Sequence, residues 1–435
     1  MTRVSRALLI LLLLLPLLAA GCASPDAAPG PVPPAEREQP SSPGKPQEPD
    51  SPAKPAPQEP DRPAEPAEPA DDPAAKLLSR MTLDEKLGAM IIAGVEGMKP
   101  DARARRMIAE RHVGGVIFYK DNMSDPAGVA AYTNRLKAWN RGNPSPLLVS
   151  VDEEGGKVSR LPGGVKLPDA SVVGRSGDGV YAAKIGAYLG ALCRAMGFNV
   201  DYAPVLDIHS HPDNPVIGPR AYGTDAETVT AMGLGVMNGI KGKGVIPVTK
   251  HFPGHGDTAV DSHLDLPVVN KTAEELQAFE WVPFQAAIRA GADVVMIAHI
   301  LFPELDSAYP ASLSRAVVTD VLRGQMGYTG VVVTDDLTMG AIAKRYGMGE
   351  AAVLSVQAGS DLLLVAHGYG NVDDVLDALG DAVADGVITE QRIDESVARI
   401  LALKRKYKLT DAPVPEKPEL SAVNASIRRT LEAHR

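Results

Sequence analysis

The chain has 435 residues, of which 45% are hydrophobic, 23% charged and 4% aromatic, and its formal charge is −10. These proportions suit a soluble globular protein and exclude a collagen, a coiled coil or a wholly disordered chain, while the length admits two or three domains or one large α/β barrel. An acidic chain without a basic block is a poor partner for nucleic acid, which needs clustered Lys and Arg, and two cysteines, Cys22 and Cys193, exclude a disulfide framework or a cysteine-based zinc site.

The chain begins with Arg3 and Arg6, then an apolar run over residues 7–18. That run is shorter than the ~20 residues a spanning helix needs, and it reads as an export signal over residues 1–21. Leu18-Ala19-Ala20-Gly21-Cys22 follows, with small residues before a lone cysteine. The arrangement resembles the lipobox of bacterial lipoproteins and implies cleavage before Cys22, acylation of that residue and an extracytoplasmic protein anchored to a bacterial membrane. Residues 22–75 contain many of the 37 prolines and no aromatic, Leu or Ile. Such a stretch cannot bury enough apolar surface to offset its ordering entropy, so a disordered, extended linker is expected there.

From residue 76 to about 410 the pattern alternates strand and helix eight times. Apolar β-rich runs fall at 90–95, 113–119, 146–151, 200–208, 245–249, 294–298, 331–334 and 362–366. Helical patterns lie between and after them at 126–139, 181–196, 226–241, 273–290, 315–326, 350–358, 372–384 and 391–406. Several of these helices stop at a glycine just before the next strand, as at Gly197, Gly291 and Gly359. Glycine accepts the left-handed conformation that ends a helix. Continuous apolar strands alternating with helices mean a parallel sheet covered on both faces. Eight units point to a single closed (β/α)8 TIM-like barrel. A doubly wound open sheet is the alternative, but no glycine-rich dinucleotide fingerprint follows the first strand. The tail over 411–435 carries prolines and then a weakly helical pattern, with no role assigned.

Catalytic groups of such barrels sit just past the C-terminal ends of strands, and the polar residues of this chain gather there. Asp152 to Arg160 follow the third strand, Asp207, His209 and His211 the fourth, and Lys250, His251, His255, Asp257, Asp261 and His263 the fifth. His299, Asp335-Asp336 and His367 follow the last three. Such a ring, with few aromatics, suits a small sugar bearing ionic or amide substituents better than a long stacked polymer. Three histidines between His251 and His263 invite a metal reading, but their spacing lies in a Pro-Gly loop rather than on a helix face. No metal or other cofactor is therefore expected. Acid/base chemistry fits better. In an extended segment Asp261 and His263 point the same way, so the carboxylate can orient the imidazole and stabilise its cation. Asp335, at the end of a fully apolar strand, is the best candidate nucleophile; Asp335 or Asp336 could equally cap the next helix.

The run Lys250-His251-Phe252-Pro253-Gly254-His255-Gly256-Asp257-Thr258 with Asp261-Ser262-His263 resembles the signature of family 3 glycoside hydrolases, and within them the bacterial β-N-acetylglucosaminidases that trim peptidoglycan fragments. Thr334-Asp335-Asp336-Leu337-Thr338-Met339, the loop from Asp152 to Arg160 and Ile217-Gly218-Pro219-Arg220 match as well. The resemblance spans about residues 77–407. It implies retaining cleavage of an amino-sugar glycoside of the GlcNAc-MurNAc type, with Asp335 as nucleophile, His263 as acid/base on a mobile loop and Asp261 as its partner. It also implies that Asp152, Arg160, Arg220, Lys250 and His251 hold the terminal sugar. A neutral acid/base does not repel an anion, so phosphorolysis on the same scaffold is the alternative to hydrolysis. A non-catalytic wall-binding lipoprotein is the third reading, against the presence of both Asp335 and His263. Lys157 stands where the family usually has Arg, and Pro219 where an acidic residue is common.

Overall fold

The structure is a computed structural model and describes residues 73–434; the expected signal peptide, Cys22 and the proline-rich stretch up to residue 72 lie outside it. Eight short strands run in chain order: β1 (Ile91–Gly94), β2 (Gly115–Phe118), β3 (Leu148–Val151), β4 (Val200–Asp201), β5 (Ile246–Phe252), β6 (Val294–Ile297), β7 (Val331–Asp336) and β8 (Leu362–Val365). Each pairs in parallel with its neighbour, and β8 returns to β1 through Ile91 opposite Leu363. The sheet is therefore closed, and the open alternative does not hold. β1, β2, β3, β6 and β8 are buried at every position. That is the pattern of strands covered outside by helices and inside by one another. Low in the barrel Ile92, Leu148, Val200, Ile246, Val294 and Leu362 converge around a gap of only about 10 Å³, room for one water at most. The barrel is thus a packed plug with its functional surface at one end.

Two pairings are irregular, and both carry polar groups. The register shifts between Thr249 and Phe252 on β5 against β6, and between Val333 and Asp336 on β7 against β8. In a regular strand consecutive side chains point to opposite faces. A bulge re-aims one of them, which lets neighbours such as Lys250 and His251, or Asp335 and Asp336, face the same space.

The elements depart from expectation where proline intervenes. β4 is two residues long rather than the expected nine, because Pro204 has no N–H for the ladder; beyond it only Val205 bridges to Lys250. The helix expected over 273–290 breaks into Ala273–Ala278 and Trp281–Arg289. Pro283 lacks the N–H that would bond the carbonyl of Phe279, so the break falls there and Pro283 sits in the tolerant first turn of the second piece. The three expected helix stops hold, with φ of 92° at Gly197, 79° at Gly291 and 120° at Gly359.

The segment after 410 is packed on the barrel. Asp411 accepts the Leu147 N–H at 3.0 Å, leading into β3. The last helix, Ser421–Ala433, lies along the helix Gly179–Ala195, with Tyr188 and Thr430 hydroxyls 2.7 Å apart. From it Asn424 accepts the Val165 N–H at 2.8 Å and donates to the Gly163 carbonyl at 2.9 Å. It thereby braces the loop that continues from Arg160. Cys193 is buried in the helix Gly179–Ala195, and burial pushes its thiol pKa up, as for a plain core residue.

Candidate active site

At the C-terminal end of the strands lies a cavity of about 340 Å³, lined by Asp152, Arg160, Arg220, Lys250, His251, His263 and Asp335, so seven of the eight residues expected to form the site meet there. The volume is at the lower end of the roughly 300–1,000 Å³ typical of small-ligand sites. The eighth, Asp261, is bonded to His263 beside it.

One wall is a four-charge cluster. Lys250 is only 2% exposed, and its Nζ lies 2.7 Å from both Asp152 Oδ1 and Glu154 Oε1. Arg220 grips the same Glu154 bidentately, Nη2 to Oε1 at 2.7 Å and Nε to Oε2 at 2.8 Å. Burial by itself raises the Glu154 pKa, but Arg220 and Lys250 outweigh it and hold the carboxyl far below its usual range. Burial likewise lowers the Lys250 pKa, and the two carboxylates outweigh it in the opposite direction. Two cations and two anions are in mutual contact, which fixes each side chain in one place. Arg220 thus spends part of its fork on Glu154. Across the cavity the Arg160 guanidinium lies 5.5 Å from the Tyr119 ring centre, and among the described residues its buried Nε has no acceptor.

His251 is held from behind. Asp207, fully buried at the turn after β4, takes its Nδ1 at 2.6 Å and its backbone N–H at 3.2 Å. Burial raises the Asp207 pKa, but His251 more than compensates and keeps it low. An ionised Asp207 makes Nδ1–H the donor, which leaves Nε2 as the acceptor of the ring.

Asp335 sits at the bulged end of β7. Burial raises its pKa, but His299 and His251 and the Asp336 N–H, which Oδ1 accepts at 2.8 Å, bring it below the usual value. It is therefore an anion at neutral pH. Neither aspartate caps the next helix, Gly340–Ala343, which has Met339 at its N-cap without a side-chain bond; Asp336 is a brace instead. Its Oδ1 accepts the N–H groups of Thr338 and Ala366, both at 3.0 Å, and ties the ends of β7 and β8 together. His299 does not line the cavity. It is fully buried behind β7, bonded to Ser312 Oγ at 2.7 Å and to the Asp336 carbonyl at 2.9 Å.

His263 is exposed, at 63% for the side chain, and Nδ1 lies 2.7 Å from Asp261 Oδ1. The same oxygen accepts the His263 N–H at 2.9 Å. The pair is therefore an Asx turn and not the extended segment expected, because an Asp side chain readily bonds the backbone two residues on. The consequence for the imidazole's placement is unchanged: a carboxylate orients it. His255 is buried in the same loop, with Nδ1 3.0 Å from Thr258 Oγ1 and Nε2 3.0 Å from Ser262 Oγ. It shapes the loop, as does Asp257 through its 2.7 Å pair with Lys271. Among the described residues no group of three or more His, Cys, Asp or Glu side chains is placed to hold a metal.

Sequence reasoning missed Tyr119 as a lining group and Asp207 as the partner of His251, and it did not single out Glu154 or His367 from the polar residues at the strand ends. Glu154 and Asp207 stood in the polar runs after β3 and β4, but a run does not tell which member turns inward. Tyr119 follows a strand of ordinary core residues and gave no signal; its ring stacks on His367 at 5.0 Å between centres.

The family model described as the glycosyl hydrolase family 3 N terminal domain matches residues 82–403. The chain belongs to this family and is a glycoside hydrolase. Beta-hexosaminidase LpqI of Mycobacterium tuberculosis is 36% identical over 329 residues, covering 74% of this chain and 82% of that protein. Beta-hexosaminidase A of Pseudoalteromonas piscicida is 31% identical over 334 residues, 70% of this chain but only 55% of that longer protein. Among solved structures, a family 3 beta-N-acetylglucosaminidase from Paenibacillus sp. str. FPU-7 superposes with a TM-score of 0.77 at 43% identity, covering 81% of this chain and 68% of the other.

Proposed function

We propose that the protein is a retaining exo-β-N-acetylglucosaminidase that removes terminal GlcNAc from peptidoglycan-derived or related amino sugars. One observation carries the reading: an ionised Asp335 and an Asp261-bound His263 open into the same small polar cavity. The relatives and the solved neighbour named above act as support for the amino-sugar class.

Asp152, Arg160, Arg220, Lys250 and His251 bind the hydroxyls of the terminal sugar and turn its anomeric carbon toward Asp335. Asp335 attacks that carbon while His263 gives its proton to the departing glycosidic oxygen, leaving a covalent glycosyl-enzyme. His263, now neutral, takes a proton from water, and the water displaces Asp335. Asp261 offsets the charge of the imidazolium at the start and end of the cycle. Cys22 anchors the mature protein outside the cytoplasm, and mass spectrometry of the mature N-terminus tests this; an unmodified Cys22 refutes the anchor.

The deciding assay compares chromogenic β-GlcNAc with β-glucoside and analyses the products with and without phosphate. Free GlcNAc of retained configuration, from the GlcNAc substrate and irrespective of phosphate, is the expected result. Sugar 1-phosphate as main product overturns hydrolysis, and preference for β-glucoside overturns the amino-sugar assignment.

A further inference from the structure

The acid/base and the nucleophile come from different strands, so something must bring His263 to Asp335. On its barrel side the loop is held by buried His255, which bonds Ser262 Oγ at 3.0 Å. On its other side it lies on the turn that leaves the nucleophile strand. The Gly340 N–H donates to the His263 carbonyl and the Ala341 N–H to the Ser262 carbonyl, both at 3.1 Å. Gly340 is four residues past Asp336, and Met339 N–H to the Asp336 carbonyl at 3.0 Å folds the intervening chain into a tight turn. An exposed Arg345–Asp265 pair at 2.7 Å adds little at the rim.

The contact is close because residue 340 has no side chain. A Cβ there would stand 2.6 Å from the His263 carbonyl oxygen, 2.7 Å from that of Leu264 and 3.0 Å from the Leu264 carbonyl carbon. All three are backbone atoms, which cannot swing aside as a side chain can. Gly340 does not have a positive φ, so the requirement is for space and not for unusual backbone. Among the described residues, chain neighbours aside, the nearby Gly347 has nothing within 4 Å of its notional Cβ.

We propose that Gly340 is a positioning residue for His263: it lets the acid/base loop seat by two backbone hydrogen bonds on the turn following the nucleophile, which sets the reach of the imidazole to the leaving group. The inference rests on the acid/base role assigned to His263 above. A bulkier residue lifts the loop, and a displacement of about 1 Å in catalytic geometry can cost about 10²-fold in rate.

The test measures His263→Ala, Gly340→Ala and Gly347→Ala on a GlcNAc disaccharide and on an aryl β-GlcNAc with a highly acidic leaving group. Only the disaccharide needs a proton in the bond-breaking step. Gly340→Ala is expected to lose about 10²-fold in kcat/KM on the disaccharide, yet less than about threefold on the aryl substrate. Its kcat and KM on the aryl substrate fall together, because the second step still needs a base and the glycosyl-enzyme accumulates. Gly347→Ala matches the wild type on both. If His263→Ala lacks this split, the acid/base reading fails. If His263→Ala has it and Gly340→Ala behaves as wild type, or loses both substrates equally while melting normally, the positioning role is refuted. Should Gly340→Ala not fold, hydrogen exchange on the wild-type protein decides: slow exchange of the Gly340 and Ala341 amides supports the seated loop, and exchange at the rate of free amides overturns it.

Discussion

Glu154→Gln tests whether the charge cluster is the rigid wall of the site. Glu154 Oε1 accepts from Arg220 Nη2 and Lys250 Nζ, and Oε2 accepts from Arg220 Nε. Glutamine keeps the volume but has one oxygen. Its best placement leaves that oxygen at Oε1 and points the amide N–H groups at Arg220 Nε, which replaces a 2.8 Å charge-assisted bond by two donors face to face. One such bond is worth about 1.5–3 kcal/mol, and the cluster of Asp152, Lys250 and Arg220 is left with an unbalanced buried cation. Breaking a buried pair from one side costs about 3–5 kcal/mol, and that is the expected loss in urea unfolding at pH 7. Because Arg220 and Lys250 both shift, kcat/KM on chromogenic β-GlcNAc falls by about 10²-fold. The sign with pH is fixed as well. The folded pKa of Glu154 is depressed, so its contribution is present above its usual value of 4.5 and is lost as pH falls below that. The gap between wild type and variant should therefore narrow below pH 4.5. A loss under about 1 kcal/mol with unchanged kcat/KM, or a gap that widens in acid, refutes the reasoning.

Asp335→Ala should abolish turnover, and peptide mapping after trapping with an activated fluoro-sugar should find the adduct on Asp335; an adduct elsewhere removes the assigned nucleophile. Burial lowers the His255 pKa from 6.5 to about 4, so this neutral group stabilises the fold above pH 6.5 and loses about 3 kcal/mol of that by pH 4. His255→Gln should flatten that limb of the stability profile in urea unfolding. Asn424→Ala removes two hydrogen bonds to the 163–165 segment and should cost about 1–3 kcal/mol, with a higher KM because Arg160 lies at the start of that loop; a change in stability with constant KM would separate the brace from the site.

Composition and period determined much. Eight apolar runs, helices between them and glycine stops placed all eight strands, because a parallel sheet covered on both faces leaves an unbroken hydrophobic signal that local rules can read. The polar runs past the strand ends marked which end of the barrel works, and a long motif carried the residues expected at the site. Tertiary structure decided the rest, which depends on contacts distant in sequence. Closure of the sheet rests on Ile91 meeting Leu363. The bulges in β5 and β7 turn adjacent side chains to one cavity, against the alternation that sequence spacing implies. Glu154 is recognisable only when Arg220 arrives from the segment between β4 and β5 and Lys250 from β5 itself, and Asp207 only when His251 lies over it. A charge in a sequence has no partner until the chain folds, so its burial, its pKa and the direction it faces are properties of the assembled barrel and not of the motif.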